Sequence, residues 1–111
     1  MTLDTTKIAF TSDYISDKIV YESPVLTYSQ GATSSSTKTV ANPYGAKAFI
    51  TLAWSVDGTN YYPANATIST NYVTQYTANG SCSDSTVYIY LENNTGGSIT
   101  FYIKFVLDTI T

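Results

Sequence analysis

The stretch that decides the fold is "AFITLAWSVDGTNYYPA", residues 48–64. Its first half alternates between two faces of an extended chain. The more apolar face carries every second residue from just before this stretch: Ala46, Ala48, Ile50, Leu52, Trp54 and Val56. Alternation of this kind predicts a central strand with Trp54 in the core, and a slip of one residue would turn that face outward.

The second half of the stretch predicts a hairpin. Asp57 and Gly58 form a dipeptide that favours a tight turn. Tyr61 and Tyr62 then begin the partner strand, with one ring inward and the other outward. Because Pro63 has no backbone N–H, it ends the pairing or places it at a sheet edge.

Two segments near the C-terminus alternate in the same way. Residues 87–91 put Val87, Ile89 and Leu91 on one face, and residues 99–107 continue the pattern. Between them lies "ENNTGGS", residues 92–98, whose asparagines and glycines tolerate positive φ. The sequence therefore predicts a hairpin that joins these two strands.

The remaining segments are shorter or less regular. Residues 18–29 are extended, and Pro24 makes them either an edge strand or two strands that meet at a bulge. Weaker strands are predicted at residues 65–70 and 72–78. Loops rich in small and polar residues are predicted at residues 30–37, 41–46 and 78–85.

Together these segments predict an all-β fold. About seven or eight short strands without helical periodicity are typical of an antiparallel β-sandwich of the jelly-roll or Ig-like type. The chain has 111 residues, which suits one domain over residues 1–111. Residues 1–12 are expected to form either a flexible arm or a first strand.

Composition excludes several function classes. Charged residues are 12% of the chain and the net charge is -3, so a nucleic-acid partner is not expected. The chain has no histidine, which removes Ser-His-Asp and Cys-His catalysis and the commonest zinc ligand. Cys82 is the single cysteine, and no spacing among the carboxylates picks out a catalytic pair. We therefore expect no catalytic residue, metal or cofactor, and a small hydrolase is the weakest alternative.

The N-terminus gives no targeting signal. It has neither a basic start nor an apolar run, and no stretch is long enough to span a membrane. We therefore expect no membrane partner. The protein would stay in the cytoplasm, be a trimmed product, or leave the cell inside a virion released by lysis.

Tyrosine is the one residue type in clear excess, with 11 copies. Tyrosine suits a surface in contact with a partner, because it combines a large apolar body with a hydroxyl group. Such rings cover the solvent side of a sheet, form a subunit interface, or serve as a sugar-binding platform. The candidates are Tyr88, Tyr90 and Tyr102 as a cross-strand cluster, and Tyr44, Tyr61 and Tyr62 on loops at one end.

Three segments, in this order, carry a resemblance to a known group. They are "KIAFTSDYISDKIVY" (7–21), "AWSVDGTNYYPA" (53–64) and "NNTGGSITFYIKF" (93–105). The chain resembles small, uncharacterised virion proteins of tailed bacteriophages. The resemblance implies a component of the tail, baseplate or fibre, and it supplies no active-site residues.

The functional expectation follows from the composition and the resemblance together. We expect a non-enzymatic structural protein of a phage particle, located in the virion. Its partners would be copies of itself, with threefold or higher symmetry, and other virion proteins. The alternative is a module that binds carbohydrate or a host surface through Tyr44, Tyr61 and Tyr62.

Overall fold

The computed structural model describes residues 18–45, 48–71 and 73–110, and the predicted arm or strand at residues 1–12 lies outside them. This part of the chain contains nine strands and no helix. The strands are β1 Lys18–Glu22, β2 Leu26–Gln30, β3 Ser34–Ala41, β4 Phe49–Ser55, β5 Tyr62–Pro63, β6 Thr67–Thr70, β7 Val73–Cys82, β8 Thr86–Asn93 and β9 Ile99–Ile110. The predicted all-β class is confirmed.

The strands form two antiparallel sheets packed together as a β-sandwich. Sheet I has the order β1–β9–β4–β5, and β2 continues β1 along the same side of β9. Sheet II has the order β3–β8–β7–β6. In sheet I, β9 runs through the middle, so that Leu107 pairs with Tyr21 of β1 on one side and Ile50 of β4 on the other.

The core lies between the sheets and is built from the alternating apolar faces. Its members come from β4, β7, β8 and β9: Leu52, Trp54, Ala78, Val87, Ile89, Leu91, Phe101, Ile103, Phe105 and Leu107. Each of these residues is at most 3% exposed. The predicted central strand is confirmed, since β4 lies between β9 and β5 with Trp54 fully buried.

Pro24 lies in a bulge where β1 and β2 meet, which is the second of the two predicted alternatives. The two strands together form one edge of sheet I. Glu22 and Leu26 are four positions apart in the chain, while their partners Val106 and Ile103 are three positions apart on β9. At this point the backbone N–H of Ser23 donates to the Phe105 carbonyl at 2.8 Å. The Phe105 N–H donates to the Ser23 hydroxyl at 2.9 Å, so the bulge leaves the ladder of β9 hydrogen-bonded.

The predicted loop at residues 30–37 is wrong from Ser34 onward. Only Gly31–Thr33 turn, and β3 pairs with β8 from Ser34 opposite Asn93 to Ala41 opposite Thr86. β3 has little apolar alternation in its sequence because it lies at a sheet edge, where none of its residues is fully buried and Val40 is the residue that packs against the core. Its strand character comes from backbone pairing with β8 rather than from burial.

The predicted loop at residues 78–85 is also wrong for its first half. β7 extends through Cys82, and the turn is confined to residues 83–85. Gly80 lies in this strand because a Cβ there would come within 2.7 Å of the Leu52 Cδ1 atom on the facing sheet. This glycine therefore permits close approach of the two sheets and does not mark a turn.

The predicted hairpin over residues 92–98 is wrong in its topology. β8 belongs to sheet II and β9 to sheet I, so residues 94–98 cross from one sheet to the other. The apolar faces of the two strands meet across the core, with Ile89 and Leu91 on one side and Phe101 and Ile103 on the other. Alternation alone does not distinguish two strands that face each other from two strands that pair.

Candidate functional site

The six candidate tyrosines lie on separate surfaces of the sandwich. Tyr88 and Tyr90 are on the outer face of sheet II, and Tyr102 is on the outer face of sheet I. The predicted cross-strand cluster of these three rings is therefore wrong. Its physical reason is the crossing between β8 and β9, which turns their outward faces in opposite directions.

The predicted gathering of loop tyrosines at one end is wrong as well. Tyr44 precedes β4, whereas Tyr61 and Tyr62 follow it, so Tyr44 lies at the opposite end of that strand. Tyr44 packs edge-on against Tyr21, with ring centroids 6.1 Å apart. Burial, with smaller contributions from Tyr21 and Asp108, raises the pKa of Tyr44. Its ring therefore closes the end of the core.

Tyr61 and Tyr62 separate as the alternation predicts. The Tyr62 ring packs on Trp54 with centroids 5.0 Å apart, and the Trp54 Nε1–H donates to the Pro63 carbonyl at 3.0 Å. Tyr61 points outward and is 40% exposed. The two-residue strand β5 forms the edge of sheet I, which confirms the expected effect of Pro63.

The turn between β4 and β5 is held by Asp57. Its Oδ1 atom accepts hydrogen bonds from the backbone N–H groups of Thr59 and Asn60, each at 2.8 Å. These bonds, with those from the side chains of Asn60 and Ser55, lower the pKa of the Asp57 carboxyl. Gly58 has a φ of 78° and covers the Tyr102 ring, which lies 3.7 Å from where a Cβ would stand.

The outer face of sheet I carries an apolar concavity of about 370 Å³. It is called the sheet I groove here, and its lining includes Val25, Thr51, Ala53, Tyr61, Lys104 and Val106. Thr51 and Ala53 are the small outward residues of β4 that form its floor, opposite Val106 and Lys104 of β9. The Lys104 amine forms a salt bridge with Glu22, with 2.5 Å between Nζ and Oε2. The aliphatic part of the Lys104 side chain therefore lines the groove.

Phe49 stands on the same face as the groove. It is the outward residue of β4 two positions before Thr51, and 74% of it is exposed. Val25, in the bulge between β1 and β2, is 50% exposed at the other side of the groove. Neither side chain was among the predicted site residues. Phe49 could have been found from the alternation itself, because it is an aromatic residue at an outward position of a central strand.

The outer face of sheet II carries a smaller and more polar concavity of about 190 Å³. It is called the tyrosine depression here, and it is lined by Thr37, Asn79, Gly80, Ser81, Tyr88 and Tyr90. The two tyrosines are 40% and 37% exposed. Because they occupy alternate positions of β8, their Cα atoms are about 7 Å apart along the strand.

Three of the described carboxylates make contacts that support the fold. Glu22 pairs with Lys104, Asp57 holds its turn, and Glu92 accepts hydrogen bonds from Tyr90 and Asn94. Among the described residues, no three His, Cys, Asp or Glu side chains come together as a candidate metal site. Across residues 18–45, 48–71 and 73–110, the chain has no helix with the length and apolar character to cross a membrane.

The comparisons with known proteins found no counterpart for this arrangement. No family model matches the chain, and neither a curated protein nor a solved structure was found to match it. The function therefore has to be argued from the two outer faces of the sandwich.

Proposed function

We propose that this chain is a non-enzymatic assembly protein that binds further copies of itself through the outer face of sheet I. The observation that carries the proposal is the sheet I groove beside the exposed ring of Phe49. Contiguous exposed apolar surface of this kind is typical of protein–protein contacts. The core is complete without these side chains, so folding does not require them to be apolar.

The exposed Phe49 ring and the floor of the sheet I groove lie on the same outward face of β4. Phe49 lies about 7 to 14 Å from the groove floor at Thr51 and Ala53 along β4. A second copy facing this sheet would place its own Phe49 ring in the groove and offer its groove in return. A buried aromatic anchor in an apolar pocket is the usual centre of an interface. This reciprocal contact closes a two-fold pair, whereas insertion in one direction only, head to tail, would close a ring of three or more copies.

The setting we propose is a bacteriophage particle, as a component of the tail, baseplate, fibre or capsid decoration. The support is the resemblance of residues 7–21, 53–64 and 93–105 to virion proteins of tailed phages. A contact that repeats between identical copies is what such a particle requires of its subunits. The other partners would then be neighbouring virion proteins, and the protein would be located in the virion.

The experiment is light scattering coupled to size exclusion at micromolar concentrations. The unaltered protein is expected to elute as a multiple of the chain mass, and Phe49→Ser is expected to shift it towards the monomer. Val73→Ser is the matched control, because Val73 is 63% exposed but lies at the start of β7 in sheet II. A monomeric unaltered protein, or equal effects of the two substitutions, would contradict the proposal.

A further inference from the structure

The tyrosine depression differs from the sheet I groove in its chemistry. Each of its two rings has small polar neighbours on both flanking strands. Tyr90 lies between Thr37 of β3 and Asn79 of β7 in the strand register. Tyr88 lies between Thr39 and Ser81 in the next row of outward residues. The surface is therefore an aromatic pair bordered by hydroxyl and amide groups.

These polar groups are available to a ligand. The Asn79 Oδ1 atom accepts from the Gly80 N–H at 2.8 Å. In the part of the chain that the structure describes, the Asn79 Nδ2 group and the hydroxyls of Thr37 and Ser81 have no hydrogen-bond partner. Hydroxyl groups both donate and accept, so the depression offers both kinds of hydrogen bond beside two aromatic faces.

The Tyr90 ring is held in place before any ligand arrives. The Tyr90 hydroxyl donates to Glu92 Oε1 at 3.2 Å, and the Asn94 Nδ2 group donates to Glu92 Oε2 at 2.5 Å. The floor beside Tyr88 stays open because the outward residue paired with it on β7, Ser81, has a short side chain. A surface that is ordered in advance loses less conformational entropy when it binds.

The lack of charged residues in the lining favours a neutral ligand. None of the six residues that line the depression is Asp, Glu, Lys, Arg or His. An anionic ligand would find no counter-charge there, and the neighbouring Glu92 carboxylate is already hydrogen-bonded to Tyr90 and Asn94. A neutral sugar matches the surface, because its C–H groups pack on aromatic faces and its hydroxyls pair with neutral donors and acceptors.

We propose that the tyrosine depression is a binding site for a neutral glycan, with Tyr88 and Tyr90 as the stacking platform. Asn79, Thr37 and Ser81 donate and accept the hydrogen bonds at its border. A volume of about 190 Å³ is below that of pockets for drug-sized ligands, so the site accepts one or two sugar rings of a longer chain. This site is independent of the sheet I groove, because it lies on the other outer face of the sandwich.

The test is titration of the isotope-labelled full chain with cellohexaose, maltohexaose and chitohexaose, followed by two-dimensional amide NMR. At least one of these neutral probes is expected to shift the amide signals of residues 79–81 and 88–90. Hexagalacturonate, as an acidic counterpart, is expected to bind more weakly. Tyr88→Ala and Tyr90→Ala are each expected to weaken binding by about tenfold, as loss of roughly 1.4 kcal/mol would do.

Two further variants separate the platform from general effects of substitution. Tyr90→Phe keeps the ring and is expected to retain most of the binding. Val73→Ser removes an exposed apolar side chain from the start of β7, outside the depression, and is expected to leave sugar binding unchanged. Absence of shifts with all three neutral probes, or shifts centred elsewhere, would overturn the proposal. A lower oligomer mass after Tyr88→Ala would also overturn it, because the face would then be a protein interface.

Discussion

Asn93 is the residue where the two sheets are tied together at one end of the sandwich. It is fully buried at the end of β8, and its Nδ2 group donates to the carbonyls of Gly31 at 3.0 Å and Gly97 at 2.9 Å. Its Oδ1 atom accepts from the Thr95 N–H at 3.0 Å and the Thr95 hydroxyl at 2.7 Å. One amide therefore fixes both the turn between β2 and β3 and the crossing from β8 to β9.

Asn93→Ala is expected to lower the free energy of unfolding by about 2–3 kcal/mol, because it removes the shared donor of three carbonyl groups, those of Gly31, Gly97 and the buried Gln30. Asn94→Ala is the matched control, since Asn94 is the exposed neighbour in the same loop. Urea unfolding, followed by the fluorescence of the single tryptophan Trp54, measures the free energy of unfolding of both variants. A loss no larger for Asn93 than for Asn94 would contradict the tethering role.

Asp57 makes the stability of the turn depend on pH. Its pKa is lower in the folded chain than the value near 3.9 of an unfolded aspartate. The stabilisation is therefore complete above about pH 4 and is lost as pH falls through the folded pKa. The difference in unfolding free energy between neutral and acidic pH is expected to be smaller in Asp57→Asn than in the unaltered protein. Equal pH dependence of the two proteins, by urea unfolding, would contradict this account of the turn.

At the scale of elements, the bulge between β1 and β2 keeps a single edge paired to β9 despite Pro24. Ser23 is 3% exposed, and its hydroxyl accepts the hydrogen bond from the buried Phe105 N–H. The same hydroxyl donates to the Pro24 carbonyl at 2.8 Å. One side chain thus replaces the backbone partner that the bulge removes from the ladder.

Ser23→Ala is expected to lower the free energy of unfolding by about 1–3 kcal/mol, because the Phe105 N–H is left buried without an acceptor. Ser29→Ala, at an exposed position of β2, is expected to stay within about 0.5 kcal/mol of the unaltered protein. Amide exchange gives a second measurement, in which the Phe105 N–H should lose protection only in Ser23→Ala. Unchanged protection of that amide would show that the hydroxyl is not its acceptor.

The strands with a buried face could be predicted from the sequence because burial on one side imposes period-two alternation. This holds for the segments around Trp54, Ile89 and Ile103. It fails for β3 and for the second half of β7, where pairing and close sheet approach, rather than side-chain burial, decide the structure. Gly80 is typical of this difference, since its role depends on Leu52 of a distant strand.

The candidate site could be predicted only in part for a related reason. The outward direction of Tyr61, Tyr88 and Tyr90 follows from alternation within a strand. Whether such rings gather depends on which strands pair. The crossing between β8 and β9 is held in part by the hydrogen bond from Asn93 to Gly31, which lies 62 positions earlier in the chain. The excess of tyrosine does not point to Phe49, whose exposure follows from its outward position on β4 alone.

At the scale of the whole molecule, the two outer faces of the sandwich have different chemistry. The face of sheet I is apolar, with the groove and Phe49, and suits another protein surface. The face of sheet II presents neutral hydroxyl and amide groups around two tyrosines. A subunit that assembles through the face of sheet I and binds a glycan through the face of sheet II would present sheet II on the outside of a symmetric particle.

The most direct test of the central claim is hydroxyl-radical footprinting of the unaltered protein at two concentrations, one below and one above self-association. The account predicts that oxidation of Phe49, Val25 and Tyr61 slows at the higher concentration, because the outer face of sheet I becomes covered. Oxidation of Tyr88 on sheet II should not change. Equal oxidation of Phe49 at both concentrations, or protection centred on Tyr88 and Val73, would contradict the account.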